Sequence, residues 1–192
     1  AGGECVRLRN NAHGNVVSNV VIRWCGVKGG GDGVARYRYH NGEGVYIGTS
    51  PKSVTQPMHL DDASHDNEVR DSVIVTYGSE CFQVKENAHH NRLARVECRA
   101  NDEPVEFSGS NVELRGHQNT VTDSVLSGSR GVNVKSASDE PRYDLGGNAL
   151  AGTRLEQAAG PHVLFKSRAP MGPMCGNTFA TARIVEKTDA FA

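Results

Sequence analysis

The apolar positions of this chain fall into an eight-residue phrase that returns six times. The copies begin at Asn15 (NVVSNVVI), Asn67 (NEVRDSVI), Asn91 (NRLARVEC), Asn119 (NTVTDSVL), Asn148 (NALAGTRL) and Asn177 (NTFATARI). The third place is always large and apolar: Val17, Val69, Leu93, Val121, Leu150, Phe179. So is the eighth: Ile22, Ile74, Cys98, Leu126, Leu155, Ile184. The sixth is small or β-branched, so places six and eight read as a strand with one face inward, and place three lies beyond a bend. By subtraction of the Asn positions, successive copies start 52, 24, 28, 29 and 29 residues apart. A unit this short, without an amphipathic helix, cannot bury its own apolar face, whereas stacked units share one core. Asn in register can bond the backbone of its own turn and its copies above and below, and it tolerates a left-handed corner. The pattern therefore predicts an all-β fold, a single-stranded parallel β-helix (a solenoid) of about six coils with an Asn ladder, each coil about 4.8 Å above the last.

A second strand precedes each Asn. Its copies are Val6-Arg7-Leu8-Arg9, Val45-Tyr46-Ile47-Gly48, Phe82-Gln83-Val84-Lys85, Val112-Glu113-Leu114-Arg115, Val132-Asn133-Val134-Lys135 and Val163-Leu164-Phe165-Lys166. Apolar first and third places turn the second and fourth toward water. The fourth row then reads Arg9, Gly48, Lys85, Arg115, Lys135, Lys166, a basic stripe up one face. The second row contributes Tyr46, Gln83, Glu113 and Asn133. Val105-Glu106-Phe107-Ser108 is an alternative strand for the coil of Arg115.

Composition narrows the class. A length of 192 residues suits one domain, spanning 1–192, and an apolar share of 37% is that of a globular chain. The net charge of −1 argues against general nucleic-acid affinity, and no stretch is apolar enough for membrane insertion. Two excursions leave the repeat, 27–43 (glycine-rich, read as a flexible turn because no Lys-Ser/Thr follows) and 50–66. Neither end carries an amphipathic cap, so contact with further chain segments or other subunits is expected there. Among five cysteines, Cys98 substitutes for Ile or Leu as a core residue, Cys5–Cys25 is the one bridge entertained, Cys5 and Cys81 lie too far apart, and Cys175 has no evident partner. The count points weakly to an oxidising compartment.

Glu4-Cys5-Val6-Arg7-Leu8-Arg9, the strand-turn Gly42-Glu43-Gly44-Val45-Tyr46-Ile47-Gly48 and Val84-Lys85-Glu86 give the chain a family likeness. It resembles secreted right-handed parallel β-helix repeat proteins, a group that includes pectate-lyase-like enzymes and members without assigned activity. The resemblance implies right-handedness and an extracellular or cell-surface location. Alginate lyases and chondroitinase B-like enzymes of this fold place a Lys on one coil and an Arg on the next. There the Lys removes the proton beside the sugar carboxylate and the Arg assists; Lys85 and Arg115 are similarly placed. Those enzymes also hold Ca²⁺ on acidic residues of that face, where this chain has Gln83, and their Arg-His-Gly is Arg115-Gly116-His117 here.

The implied chemistry needs a lysine whose pKa is lowered toward neutrality, which neighbouring cations provide. Lys85 and Arg115 are the candidate catalytic pair. Arg9, Tyr46, Gln83, Glu113, Asn133, Lys135 and Lys166 are the candidate contacts to an acidic polysaccharide or glycan, which rows at coil spacing would suit. The alternative is a solvated row on a non-catalytic structural or adhesive module. Asp61, Asp62, Asp66 and Glu68 offer hard oxygen ligands but read as a solvated loop, so no cofactor is expected, with Ca²⁺ as the alternative. His89, His90 and His117 fall in neighbouring turns without the spacing of a zinc site and read as turn residues. No Gly-x-Ser-x-Gly supports a Ser-His-Asp centre.

Overall fold

A computed structural model describes residues 3–29, 35–37, 42–52, 61–76, 79–100, 109–129 and 131–187. Among these the fold is all-β, with no α-helix and one 3₁₀ turn at Pro141–Tyr143. Seven strands form one parallel sheet in the order β1 (Val6–Leu8), β6 (Val45–Ile47), β8 (Phe82–Val84), β10 (Ser110–Leu114), β13 (Val132–Ser136), β16 (Val163–Phe165), β19 (Val185–Lys187). A ten-stranded sheet holds the phrases that begin with Asn. Its members are β2 (Val16–Ser18), β3 (Val21–Arg23), β7 (Glu68–Thr76), β9 (Arg92–Ala100), β11 (Thr120–Thr122), β12 (Val125–Ser127), β14 (Ala149–Ala151), β15 (Arg154–Leu155), β17 (Met174–Cys175) and β18 (Thr178–Phe179). The chain passes alternately through the two sheets, and each strand pairs in parallel with the one a pass later, an arrangement consistent with a β-helix.

The register is what places side chains in columns. Val17, Val69, Leu93, Val121 and Leu150 are successive partners, continued by Met174. Ile22, Ile74, Cys98, Leu126 and Leu155 form the second column, continued by Phe179. Most of these side chains lie in a single core with Val45, Ile47, Phe82, Val84, Val112, Leu114, Val134 and Val163 of the other sheet.

The sixth phrase is therefore five residues out of its expected register. Gly172, whose amide donates to the Asn148 carbonyl, stands where an Asn was expected. Asn177 sits instead at the sixth place: its Oδ1 accepts from the Thr153 amide, as Ser72 Oγ accepts from Val20 and Ser124 Oγ from Val96. A small polar acceptor is what that corner requires, and Asn serves as well as Ser. Ile184, read as core, is exposed.

The other five Asn form the ladder. Side-chain amides link Asn15 to Asn67 at 2.8 Å, Asn67 to Asn91 at 2.9 Å, Asn91 to Asn119 at 3.1 Å and Asn119 to Asn148 at 3.2 Å. The left-handed backbone expected of these Asn belongs instead to the residue before each: Gly14, Asp66, His90, Gln118 and Gly147. A second left-handed row occupies the fifth place of the phrase, Asn19, Asp71, Arg95, Asp123, Gly152 and Gly176, and turns the chain between the two strand segments.

Two disulfides tie the early passes together. Cys5–Cys25 is one, as expected. The other, Cys81–Cys98, corrects the reading of Cys98 as a plain core residue: Cys81 lies just before β8 and its Cα is 5.9 Å from that of Cys98. Of the 27–43 excursion, β4 (Val27–Gly29) and β5 (Ala35–Tyr37) pair antiparallel, and 30–34 and 38–41 lie outside the described residues. So do 53–60 of the second excursion and the alternative strand at 105–108; β10 instead supplies the strand of Arg115.

Candidate functional site

The outer face of the seven-stranded sheet carries most of the candidate residues. Along its middle row the partners are Arg7, Tyr46, Gln83, Glu113, Lys135 and Leu164. Lys135 thus stands opposite Glu113, not in the row of Arg115, because β13 pairs from Val134 rather than from Val132. Backbone amide donors place Gly48, Lys85, Arg115, Ala137 and Lys166 one residue beyond their strands, so Ala137 interrupts the stripe. Asn133 is turned inward and fully buried. Its amide nitrogen is 2.9 Å from His162 Nδ1 and donates to the Glu156 carbonyl at 3.0 Å, and its Oδ1 accepts from Asn111 at 2.7 Å. A polar residue reads as outward-facing in a strand pattern, but three partners let this one stand in the core.

The face does not lie open to water as the alternation implied. Tyr46 is 7% exposed, Gln83 4%, Lys85 8% and Glu113 2%. Burying that much charge demands pairing, and Glu113 is the hub. It accepts from Arg115 Nε at 2.9 Å, from Lys135 Nζ at 2.5 Å and from Gln83 Nε2. Arg115 also pairs with Asp139 and lies 3.5 Å from Glu86. Burial alone would raise the Glu113 carboxyl, but Arg115, Lys135 and Lys85 outweigh it and hold the group well below the usual carboxylate range. Burial would likewise lower Arg115, and Glu113 with Asp139 more than offsets this, so the guanidinium stays charged.

Lys85 is placed differently. Among the described residues its Nζ makes neither ion pair nor hydrogen bond, and its contact is the Tyr46 ring, 4.8 Å away. Burial and the neighbouring Arg115 lower its pKa against the opposing pull of Glu113, Glu86 and Glu43. Arg7 covers the ring too, at 4.7 Å, so Tyr46 is flanked by two basic side chains. Gly48 explains the room beside the lysine. Its φ of +85° suits glycine, and a Cβ there would come within 3.3 Å of Lys85 Cβ.

Three carboxylates that the strand rows did not single out complete the face. Glu43 and Glu80 each stand two residues before a strand's first core residue, as Glu4 does, and Glu86 follows Lys85. That spacing was legible in the sequence, but the rows were read from the strands onward. Burial raises all three; Glu80, with Glu113 and Glu43 adding to burial, is pushed up to about 7. Glu43 Oε2, Gln83 Oε1 and both Glu86 oxygens are buried without a hydrogen bond. These are hard oxygens of the kind Ca²⁺ takes. Yet no three His, Cys, Asp or Glu side chains among the described residues stand together to hold a metal ion. In the 61–68 loop, Asp62 accepts from the amides of Asn10, Asn11 and Ser64 and from the Thr49 and Ser64 hydroxyls; it organises the corner. Arg9 and Lys166 are half-buried at the two ends of the stripe, away from the Glu113 cluster.

No protein-family model matches the sequence, and no curated protein compared with it is similar in sequence. In three dimensions, 97% of this chain is similar to the crystal structure of an alginate lyase from Paenibacillus sp. str. FPU-7, with a TM-score of 0.75 at 15% identity. The likeness covers 61% of that protein's length and shows a shared parallel-sheet fold.

Proposed function

We propose that the chain is a right-handed parallel β-helix of extracellular location, and that the face around Lys85 binds an acidic polysaccharide and cleaves it by β-elimination. The observation that carries the reading is a buried lysine that makes no ion pair among the described residues, in a cluster where the other cations are paired. Such an amine, its pKa lowered by burial and by Arg115, is the group general-base chemistry calls for. The fold it shares with an alginate lyase agrees with this substrate class.

In the proposed step, Lys85 Nζ takes the proton from the sugar carbon next to the carboxylate. The electron pair left behind forms a carbon–carbon double bond as the adjacent glycosidic carbon–oxygen bond breaks; the leaving oxygen takes up a proton from solvent, to which the Lys85 ammonium returns the one it took. Arg115 remains cationic throughout and meets the substrate carboxylate by exchanging Asp139, its one solvent-exposed acidic partner, for it. Glu113, locked by Arg115, Lys135 and Gln83, fixes that guanidinium's direction. No step passes through a metal ion.

The test is incubation with alginate, pectate and glycosaminoglycans while following ultraviolet absorbance of the unsaturated product. The reading expects product from one of these polymers and loss of at least about a hundredfold in rate for Lys85→Ala, the usual weight of a general base. Absence of product on all of them, with polymer binding unchanged in Lys85→Ala, would favour the non-catalytic structural or adhesive module.

A further inference from the structure

Four histidines that the proposed chemistry does not use form a column along one corner. His13, His65, His89 and His117 are joined by parallel bridges. Their rings are stacked, with centroids 5.1, 5.2 and 5.0 Å apart and planes within 16° of parallel. Each stands two residues before a ladder Asn, so the Asn ladder sets their register.

The hydrogen bonds fix the tautomer. Nδ1 donates to the carbonyl of Asn11 in His13 (2.9 Å) and of Asn87 in His89 (3.0 Å), and to Asp66 Oδ2 in His65 (2.6 Å). His117 Nδ1 faces Gln118 Oε1 at 3.4 Å. These oxygens only accept, so the neutral rings carry their proton on Nδ1 and keep Nε2 as a bare acceptor. Among the described residues no Nε2 of the four has a partner. Among the described residues, the titratable groups in contact with the column are Asp66, beside His65, and His90, edge-on to His89. Accessibility declines from the exposed His13 to the buried His117.

A bare Nε2 repels a carboxylate; a protonated one donates to it. Histidine is the side chain whose charge ordinarily changes between about pH 5 and 8. Stacked imidazolium rings also repel one another at this spacing, so protons enter the column most readily where a counter-charge lies against it. Proton uptake and polyanion binding then favour each other, by linkage. The column is also close in sequence to the basic row: His13 follows Arg9 by four residues, His89 follows Lys85 by four and His117 follows Arg115 by two.

We propose that the His13–His65–His89–His117 column is a proton-dependent contact strip for an acidic polysaccharide, silent in neutral medium and adhesive in mildly acidic medium. The proposal rests on the polysaccharide reading above but not on catalysis. It is tested by the affinity of the full chain for sodium alginate and for a neutral polymer, dextran, at pH 7.5 and 5.5. Measurements use wild type and the double variant His13→Gln/His65→Gln, two accessible rungs whose loss spares the buried end. Folding of the variant is checked by circular dichroism, with His13→Gln alone as the milder change. Surface ion pairs are each worth a few-fold in affinity, so two rungs predict an alginate gain of about tenfold on acidification in wild type. The variant loses most of that gain, His13→Gln loses part of it, and dextran shows none. A gain equal in wild type and variant would overturn the proposal, since Glu80 or another group would then be its source. Equal alginate binding at both pH values overturns the strip and leaves the polysaccharide reading standing; no alginate binding at either pH overturns both.

Discussion

Whether a carboxylate on this face keeps its proton depends on which cation it touches. Glu113, with three donors, is ionised; Glu80, buried beside Glu113 and Glu43, is pushed up to about 7. A raised acid contributes stability fully below its unfolded pKa of about 4.3 and loses it as pH rises through the folded value. The melting temperature should therefore fall between about pH 5 and 8 in part through Glu80, and Glu80→Gln should flatten that fall. Thermal unfolding across the range checks it; equal slopes in both proteins would count against the buried, protonated Glu80. A second residue-scale prediction concerns the ladder. Asn91→Ala leaves the buried Asn67 backbone amide without its acceptor, takes one bond each from the Asn67 and Asn119 side chains, and should cost about 2 to 3 kcal/mol in urea unfolding. Asn177→Ala, at a partly exposed corner outside the column, should cost about 1 kcal/mol.

Strand register accounts both for what could be read from the sequence and for what could not. Columns three and eight of the phrase were legible because large apolar side chains have one place to go in a stack. The basic row was legible through Arg115 and failed at Lys135, since Val132-Asn133-Val134 offers two equivalent alternations and buried amide partners decide between them. The sixth phrase failed similarly: Asn177 satisfies a corner that elsewhere takes Ser or Thr. The burial of the charged face was not legible, because alternation reports which way a side chain points and not what lies over it. Nor was Cys81–Cys98, which joins β9 of one sheet to the residue just before β8 of the other. That bridge closes 17 residues and should contribute about 3 kcal/mol by restricting the unfolded chain, so Cys81→Ala/Cys98→Ala lowers the urea midpoint and, with a more expanded unfolded state, steepens the slope.

Over the whole molecule, stacking converts a repeat in sequence into rows of neighbours, and a face of such rows concentrates charge that no single strand holds. Glu113, Arg115 and Lys135 come from adjacent strands, Asp139 from the turn after β13, and Glu43, Glu80 and Glu86 from the turns flanking β6 and β8. In that network Lys85 stands apart, against Tyr46 rather than a carboxylate. Its state is the claim on which the proposed chemistry depends. The direct measurement is a heteronuclear NMR titration of the Lys85 Nζ resonance. A midpoint below the ordinary lysine value of about 10.4 is the predicted result. A midpoint at or above that value would mean the amine is held as a paired ammonium, and would contradict its role as the base.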